Sequence, residues 1–550
     1  MLYVMKKNSF CSLLYALVVL GGALTVVSCD DLFDTSSTYS STAEEHTLSS
    51  ASDTVYSVIG ILSKVQAIAD RTVLFGDLRA DLVQENEYTE DNLRELICND
   101  VSASNSYADY RDYYAVINNC NYFLAHADTT VLVAGQKVFL KEYAVVTAVR
   151  AWTYMQLALA FGSVPFYTDP ILNVADAMRD YPKKNLEQIC YYFIDELQHY
   201  VDTPLPSYGE IYSIPSRKFF FPVRLVLGDM YLWTQQYALA SECYARYLAD
   251  EKLSTGTLST RVSGINTNDE VTSLSSSWVN MFSAPSAEEM IALIPMAKNK
   301  LEGTKSTLAN VFSSTEENDN HAQVTPSQYI QDLASSQDYA YSVNTRTLKH
   351  LTCGDVRFYS AYPTLFVSAS STSKKSSAKD DDDDYLLNQK FTAGHLPVYR
   401  VGTIYLRLAE CLNRLDDCET AFAILKAGGS VTDAGGTLHF EATATDDDPY
   451  RGIHARGSGE AFRNTAYELP ELPTRADTLC YVEDLIIDEM ALETAFEGHR
   501  FYDLMRVALR RDDPAYLASR VASRAGIDAA DDEDLLQRLS DTSSWYIPHD

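Results

Sequence analysis

Two stretches of this chain carry the same spacing of small and large apolar residues. Leu227-Gly228, Tyr231, Ala240 and Tyr244 follow one another at steps of 1, 3, 9 and 4, and Leu408-Ala409, Leu412, Ala421 and Leu425 repeat those steps. This is the tetratricopeptide spacing. A small residue sits where two antiparallel helices touch, a second small residue lies opposite, and large side chains fill the groove. The copies lie about 180 residues apart, so the pattern predicts helix pairs split by a long insertion. Other segments carry helical stripes. Val145, Val149, Trp152, Met155 and Leu159 lie on one face of a helix that must stop before Gly162 and Pro165. Val401, Ile404, Tyr405, Leu408, Cys411, Leu412 and Leu415 make another stripe, and Val482, Leu485, Ile486, Leu492 and Phe496 a third. The chain is predicted to be mainly α.

Charge and hydropathy remove several function classes. The 550 residues hold 44 Lys+Arg against 76 Asp+Glu, a formal charge of −32. Such a chain repels phosphate, so nucleic acid is excluded as a partner. Only the N-terminus has an apolar run approaching membrane length, which excludes a polytopic membrane protein. There, Lys6 and Lys7 precede an uncharged stretch from Phe10 to Val27, followed by Ser28-Cys29. A basic start, an apolar middle and a small residue before the break describe an export signal. Cys29 in that position resembles the acylated cysteine of a bacterial lipobox, although Val26 stands where Leu is commonest. Residues 1–28 are thus read as a lipoprotein signal peptide, and 29–50 as the lipidated Cys29 with a Ser/Thr-rich tether.

The long insertion, 252–394, is rich in Ser, Thr and Asn and lacks long stripes; it reads as loops. A second irregular insertion spans 428–476. The run Asp380 to Asp384 lacks the alternating ligands of a dedicated calcium loop and reads as a solvated segment. Beyond Cys11 and Cys29, the eight cysteines show no zinc spacing and read as buried free thiols rather than a disulfide framework. No metal or cofactor is expected.

No catalytic motif is present: no HExxH, no GxSxG, no P-loop. The densest polar cluster is Glu489, Glu493, Glu497, His499, Arg500 and Asp503. Carboxylates beside a histidine could do acid–base work. This cluster rides on an apolar helical stripe with Arg500 and Arg506 at hand, and reads as a structural ion-pair network.

The stretch from Glu489 to Arg506, EMALETAFEGHRFYDLMR, resembles the C-terminal signature of the SusD/RagB family of outer-membrane nutrient-binding lipoproteins of Bacteroidetes. Tyr114 to Asn121, Arg150-Ala151-Trp152 through Phe161-Gly162-Ser163-Val164-Pro165, Pro397 to Arg400 leading into Leu408-Ala409-Glu410, and Gly452 to Gly457 resemble other family segments in order. Asp30 and Asp31 after Cys29 resemble the family's surface-export signal. The closing Trp545-Tyr546-Ile547-Pro548-His549-Asp550 departs from the family's ending, which leaves the packing of the tail open. The resemblance implies an all-α scaffold of about four tetratricopeptide-like helix pairs, with loops forming a ligand surface. It makes 51–550 one interwoven domain: scaffold at 51–251, 395–427 and 477–515, with insertions at 252–394 and 428–476. It implies a protein, not an enzyme, that captures oligosaccharides and delivers them to a SusC-like TonB-dependent transporter, lipid-anchored in the outer membrane and exposed at the cell surface. A minority of relatives capture peptides. A helical-repeat assembly protein without a small ligand is the third reading.

Sugar recognition needs flat apolar faces bordered by polar groups. Three clusters qualify. The first is Asp77, Arg79, Asp81, Asn86 and Tyr88, which the resemblance places beside the glycan site. Arg79 between two acids could clamp vicinal hydroxyls or simply tie down its loop. The second is Trp278 with Asn280; Trp278 follows Ser275-Ser276-Ser277 and is the first choice of stacking platform. The third is Tyr339 and Tyr341, near Arg357, Phe358 and Tyr359. Trp152 and Trp233 lie on helical stripes and read as core.

Overall fold

The computed structural model describes residues 48 and 51–549, apart from 134–135, 138, 257, 266–270, 299–302, 338, 345–346, 352–353, 364, 366–385, 444–450 and 459–466. The export signal, Cys29 and the Asp380–Asp384 run lie outside the described residues.

Helices dominate. The scaffold opens with α1 (Ala51–Asp77), α2 (Asp91–Ile97), α3 (Arg111–His126), α4 (Leu140–Phe161), α5 (Leu186–Leu197), α6 (Val223–Trp233) and α7 (Tyr237–Asp250). From α3 through α7 each helix packs on the next, α3 also lying against α1. α4 carries the stripe read from Val145 to Leu159. It ends at Gly162, whose φ of 76° suits glycine and whose N–H donates to the Ala158 carbonyl. Alone among the described helices, α4 has the length and apolarity to cross a membrane, and it is buried in the core.

The two copies of the repeat spacing are antiparallel helix pairs: α6–α7, and α11 (Val401–Arg414) with α12 (Cys418–Lys426). A Cβ on Gly228 would stand 2.8 Å from the Tyr244 ring, so only glycine admits that helix contact. Ala240, Ala409 and Ala421 are fully buried. α7 packs directly on α11. The intervening 150 or so residues therefore leave and rejoin a continuous stack of helices. α13 (Arg475–Thr494) packs on α11 and opens with a capping box between Thr474 and Asp477. α14 (Arg500–Arg511), α15 (Pro514–Ala522) and α16 (Glu533–Leu539) complete the chain.

The tail packs firmly. The Ile547 N–H donates to the Ala160 carbonyl at 2.8 Å, the buried Trp545 Nε1 donates to the Leu539 carbonyl at 2.7 Å, and Tyr546 lies against Gly162.

The insertions are more regular than their composition predicts. Within 252–394 lie the hairpin β2 (Thr260–Ile265) and β3 (Val271–Ser276), α8 (Ser277–Ser283), β4 (Met290–Ile294), α9 (Gln328–Ser336), the hairpin β6 (Tyr339–Asn344) and β7 (Thr347–Leu351), and α10 (Val356–Ala361). Two of its strands pair with the scaffold. β4 pairs with β8 (Leu396–Arg400), which leads into α11, and β5 (Val324–Pro326) pairs with β1 (Val83–Glu85). The second insertion holds the hairpin β9 (Gly429–Ala434) and β10 (Thr437–Ala442). Alternation and turn residues specify these elements, and Ser/Thr-rich strands hide them from a search for helical stripes.

Candidate ligand-binding cleft

The C-terminal cluster forms the centre of a buried charge network. Glu493 receives hydrogen bonds from Arg400 and Arg456 on Oε1 and from Arg357 and Trp278 on Oε2, at 2.6–3.0 Å. Glu497 is held by Arg400 and Lys390, and Glu489 by Arg357 and His454. Glu289, beside β4, joins Arg400 and Arg456. Burial works to raise the Glu493 pKa, but Arg456, Arg400 and Arg357 outweigh it and keep the carboxylate ionised far below its usual range. The His454–Glu489 pair is buried within this network, with Arg357 already on the carboxylate. The geometry ties the insertion to α13.

This network corrects the first choice of platform. Trp278 lies on α8, 1 % exposed, with its indole N–H on Glu493 at 3.0 Å and the Lys390 ammonium 4.5 Å from its ring. The Ser-rich run before it is a strand, and Ser276 caps α8 by accepting from the Val279 N–H. A tryptophan in a polar run is buried here because its one donor finds a buried acceptor. Asn280 is exposed on the same helix.

Three residues of the first cluster are corrected likewise. Asp81 is buried and receives Arg500 Nε at 2.7 Å and Nη2 at 2.6 Å. Arg79 is buried, donates to Asn99 Oδ1 and the Trp545 carbonyl, and lies over the Phe501 ring. Asp77 accepts from the Gly498 N–H at 2.6 Å, and burial pushes its pKa up to about 8. These groups lock α1 to the α13–α14 corner and are unavailable to a ligand. In the third cluster, Tyr339 is buried with its hydroxyl accepting from the Val262 N–H, and Tyr341 lies on β6.

Asn86 and Tyr88 stand elsewhere. The β1–β5 ribbon, with Val83 opposite Pro326 and Glu85 opposite Val324, brings residues some 240 positions apart to one place. Beyond it, Asn86 Nδ2 donates to the Ala322 carbonyl and Asn86 Oδ1 accepts from the Tyr88 N–H, both at 2.9 Å. Thr89 Oγ1 donates to the Gln323 carbonyl. This turn holds Tyr88 at the surface, 38 % exposed. Its ring stacks on His321, with centroids 3.8 Å apart and planes 6° from parallel. Tyr88 and His321 line an open cleft of about 410 Å³ that also presents the amides of Gln84, Asn86 and Gln331. A flat aromatic pair bordered by amides suits a ring that is apolar on its face and polar at its edge. His321 and Gln331 were invisible in sequence, because only the long-range β1–β5 pairing places them here.

A second cavity, of about 60 Å³, lies between helices beside Asp229, Arg407 and His499. It has room for a water or two and none for a sugar ring. Asp229 accepts from Tyr244, Tyr399 and Arg407, bracing the repeat pairs.

Residues 368–534 match the model of the SusD family. No curated protein matches the chain in sequence. Among solved structures, a SusD superfamily protein from Bacteroides fragilis NCTC 9343 shares 14% identity, with 91% of this chain and 96% of that one aligned and a TM-score of 0.56. A SusD superfamily protein from Bacteroides vulgatus ATCC 8482 shares 12% identity, with 90% and 92% aligned and a TM-score of 0.58. A protein described as a laminarin-binding SusD-like protein shares 15% identity, with 87% and 94% aligned and a TM-score of 0.50. At these identities the likeness is one of fold.

Proposed function

From a SusD-family segment at residues 368–534 in a SusD-superfamily fold, we propose that this chain binds glycans rather than transforming them. The observation that carries the reading is the cleft of about 410 Å³ with Tyr88 stacked on His321 and amides around the pair. The solved relative described as laminarin-binding supports the ligand class. Sugar faces stack on exposed aromatic rings, and hydroxyls exchange hydrogen bonds with amides.

The rest of the reading extends from sequence. Cys29 carries lipid, residues 29–50 tether the body to the outer membrane at the cell surface, and residues 51–550 act as one interwoven unit. That unit hands its oligosaccharide to a SusC-like TonB-dependent transporter. The unity of 51–550 is supported by Trp278 and Arg357 of the insertion, which both donate to Glu493 of α13.

The test is a glycan array probed with residues 30–550, with a peptide pool as control. A glycan signal lost in Tyr88→Ala supports the reading; a signal from peptides alone rejects it.

A further inference from the structure

The charge around the cleft specifies which glycans it takes. Among the described residues, its lining contains one carboxylate, Glu87, and no lysine or arginine; His321 is the sole basic side chain. The surrounding turn is acidic. Glu85, Glu87, Glu90 and Asp91 lie within seven residues of sequence, and the nearby Arg94 is already engaged by Glu85 and Asp91 at 2.8 Å each. On the other wall, the segment leading to His321 carries Glu316, Glu317 and Asp319, and Lys305 is paired with Glu317. Among the described residues, a uronate or sulfate ester held against Tyr88 would meet this excess of negative charge with no lysine or arginine of the lining to compensate. A neutral sugar carries no charge to be repelled, and its hydroxyls can exchange hydrogen bonds with the amides of the lining.

We infer that the cleft selects neutral oligosaccharides and rejects acidic ones, and that Glu87 is a specificity-determining residue. This inference rests on the glycan-binding reading. Glu87 is exposed at the rim, so its effect is electrostatic and needs no contact with the ring. A unit charge about 6 Å away in water is worth about a threefold change in affinity, and several acids together are worth more. Added salt should screen that repulsion.

The experiment is affinity electrophoresis of residues 30–550 through gels containing neutral polymers (laminarin, xyloglucan, mannan) or acidic ones (polygalacturonate, alginate, dextran sulfate), for wild type, Glu87→Lys and Tyr88→Ala. The expected result is retardation by at least one neutral polymer, lost in Tyr88→Ala, with none by the acidic set. Glu87→Lys should gain retardation by acidic polymers that falls as salt rises. Wild-type retardation by an acidic polymer that disappears in Tyr88→Ala overturns the inference and leaves the glycan reading standing. Retardation by neither set removes both. An unchanged acidic profile in Glu87→Lys removes Glu87 from the selectivity.

Discussion

Arg500 grips both carboxylate oxygens of Asp81 across 419 residues of sequence, through Nε at 2.7 Å and Nη2 at 2.6 Å. Both side chains are buried, and Arg500 Nη1 also donates to the Ile487 carbonyl. The pair fixes the end of α1 to the start of α14 and, through the following β1, fixes one wall of the cleft.

Removing one partner leaves the other charged in a dry site. Arg500→Ala should therefore cost about 3–5 kcal/mol of stability. Thermal and denaturant melts check this. A variant that melts like wild type but no longer binds glycan would falsify the structural role.

Trp278→Ala should destabilise by about 3–5 kcal/mol, because it opens a cavity and takes a donor from Glu493. Trp278→Phe should lose less. Where the variants remain folded, calorimetry should find glycan affinity unchanged; a selective loss of binding would return Trp278 to the ligand surface.

Tyr88→Ala should weaken glycan binding about tenfold, from the lost stacking face. The melting temperature should stay put, since Tyr88 stands on a surface turn. Titration calorimetry against the best array hit measures the first, a melt the second. Equal affinities would remove Tyr88 as the platform.

Asp77 gives a pH signature. Its pKa rises from 3.8 to about 8 on folding, through burial that the Gly498 N–H only partly offsets. Between those values the folded chain keeps a proton that the unfolded chain has released. Stability from this group is thus fullest below pH 4 and is lost as pH rises towards 8, by about 1.4 kcal/mol per unit. His499, pushed down to about 4 by burial, has the opposite slope between pH 4 and 6.5. The wild-type stability should accordingly fall most clearly from pH 6.5 to 8, and Asp77→Asn should flatten that fall. Parallel pH slopes for the two proteins would show that Asp77 is ionised in the fold.

Cys29→Ala should leave the precursor unprocessed or release the protein from the membrane, as fractionation would report. Normal processing with normal retention excludes Cys29 as the lipid site.

The scaffold was legible because helices announce themselves locally. The stripe from Val145 to Leu159 and the stop at Gly162 need no distant partner, and Gly228 marks its helix contact with Tyr244. The charge network was half legible. Glu489 and Glu493 share one face of α13 and Glu497 follows just past its end, but Arg357, Arg400 and Arg456 come from three separate segments. Asp77-Arg79-Asp81 reads equally as a sugar clamp or as a buried lock, and packing against Gly498, Trp545 and Arg500 decides for the lock. The cleft was the least legible part. Tyr88 could be named, while its partner His321 depends on a three-residue ribbon between β1 and β5.

That ribbon makes the cleft a seam. One wall grows from the helical frame, and the other from the inserted segment, whose strand β4 pairs with β8 at the entry to α11, against which α7 packs. The cleft residues around His321 can therefore vary while the helices, the buried charge network and the half that holds Tyr88 keep their form. A chain built this way can alter one side of its cleft without rebuilding its helical skeleton.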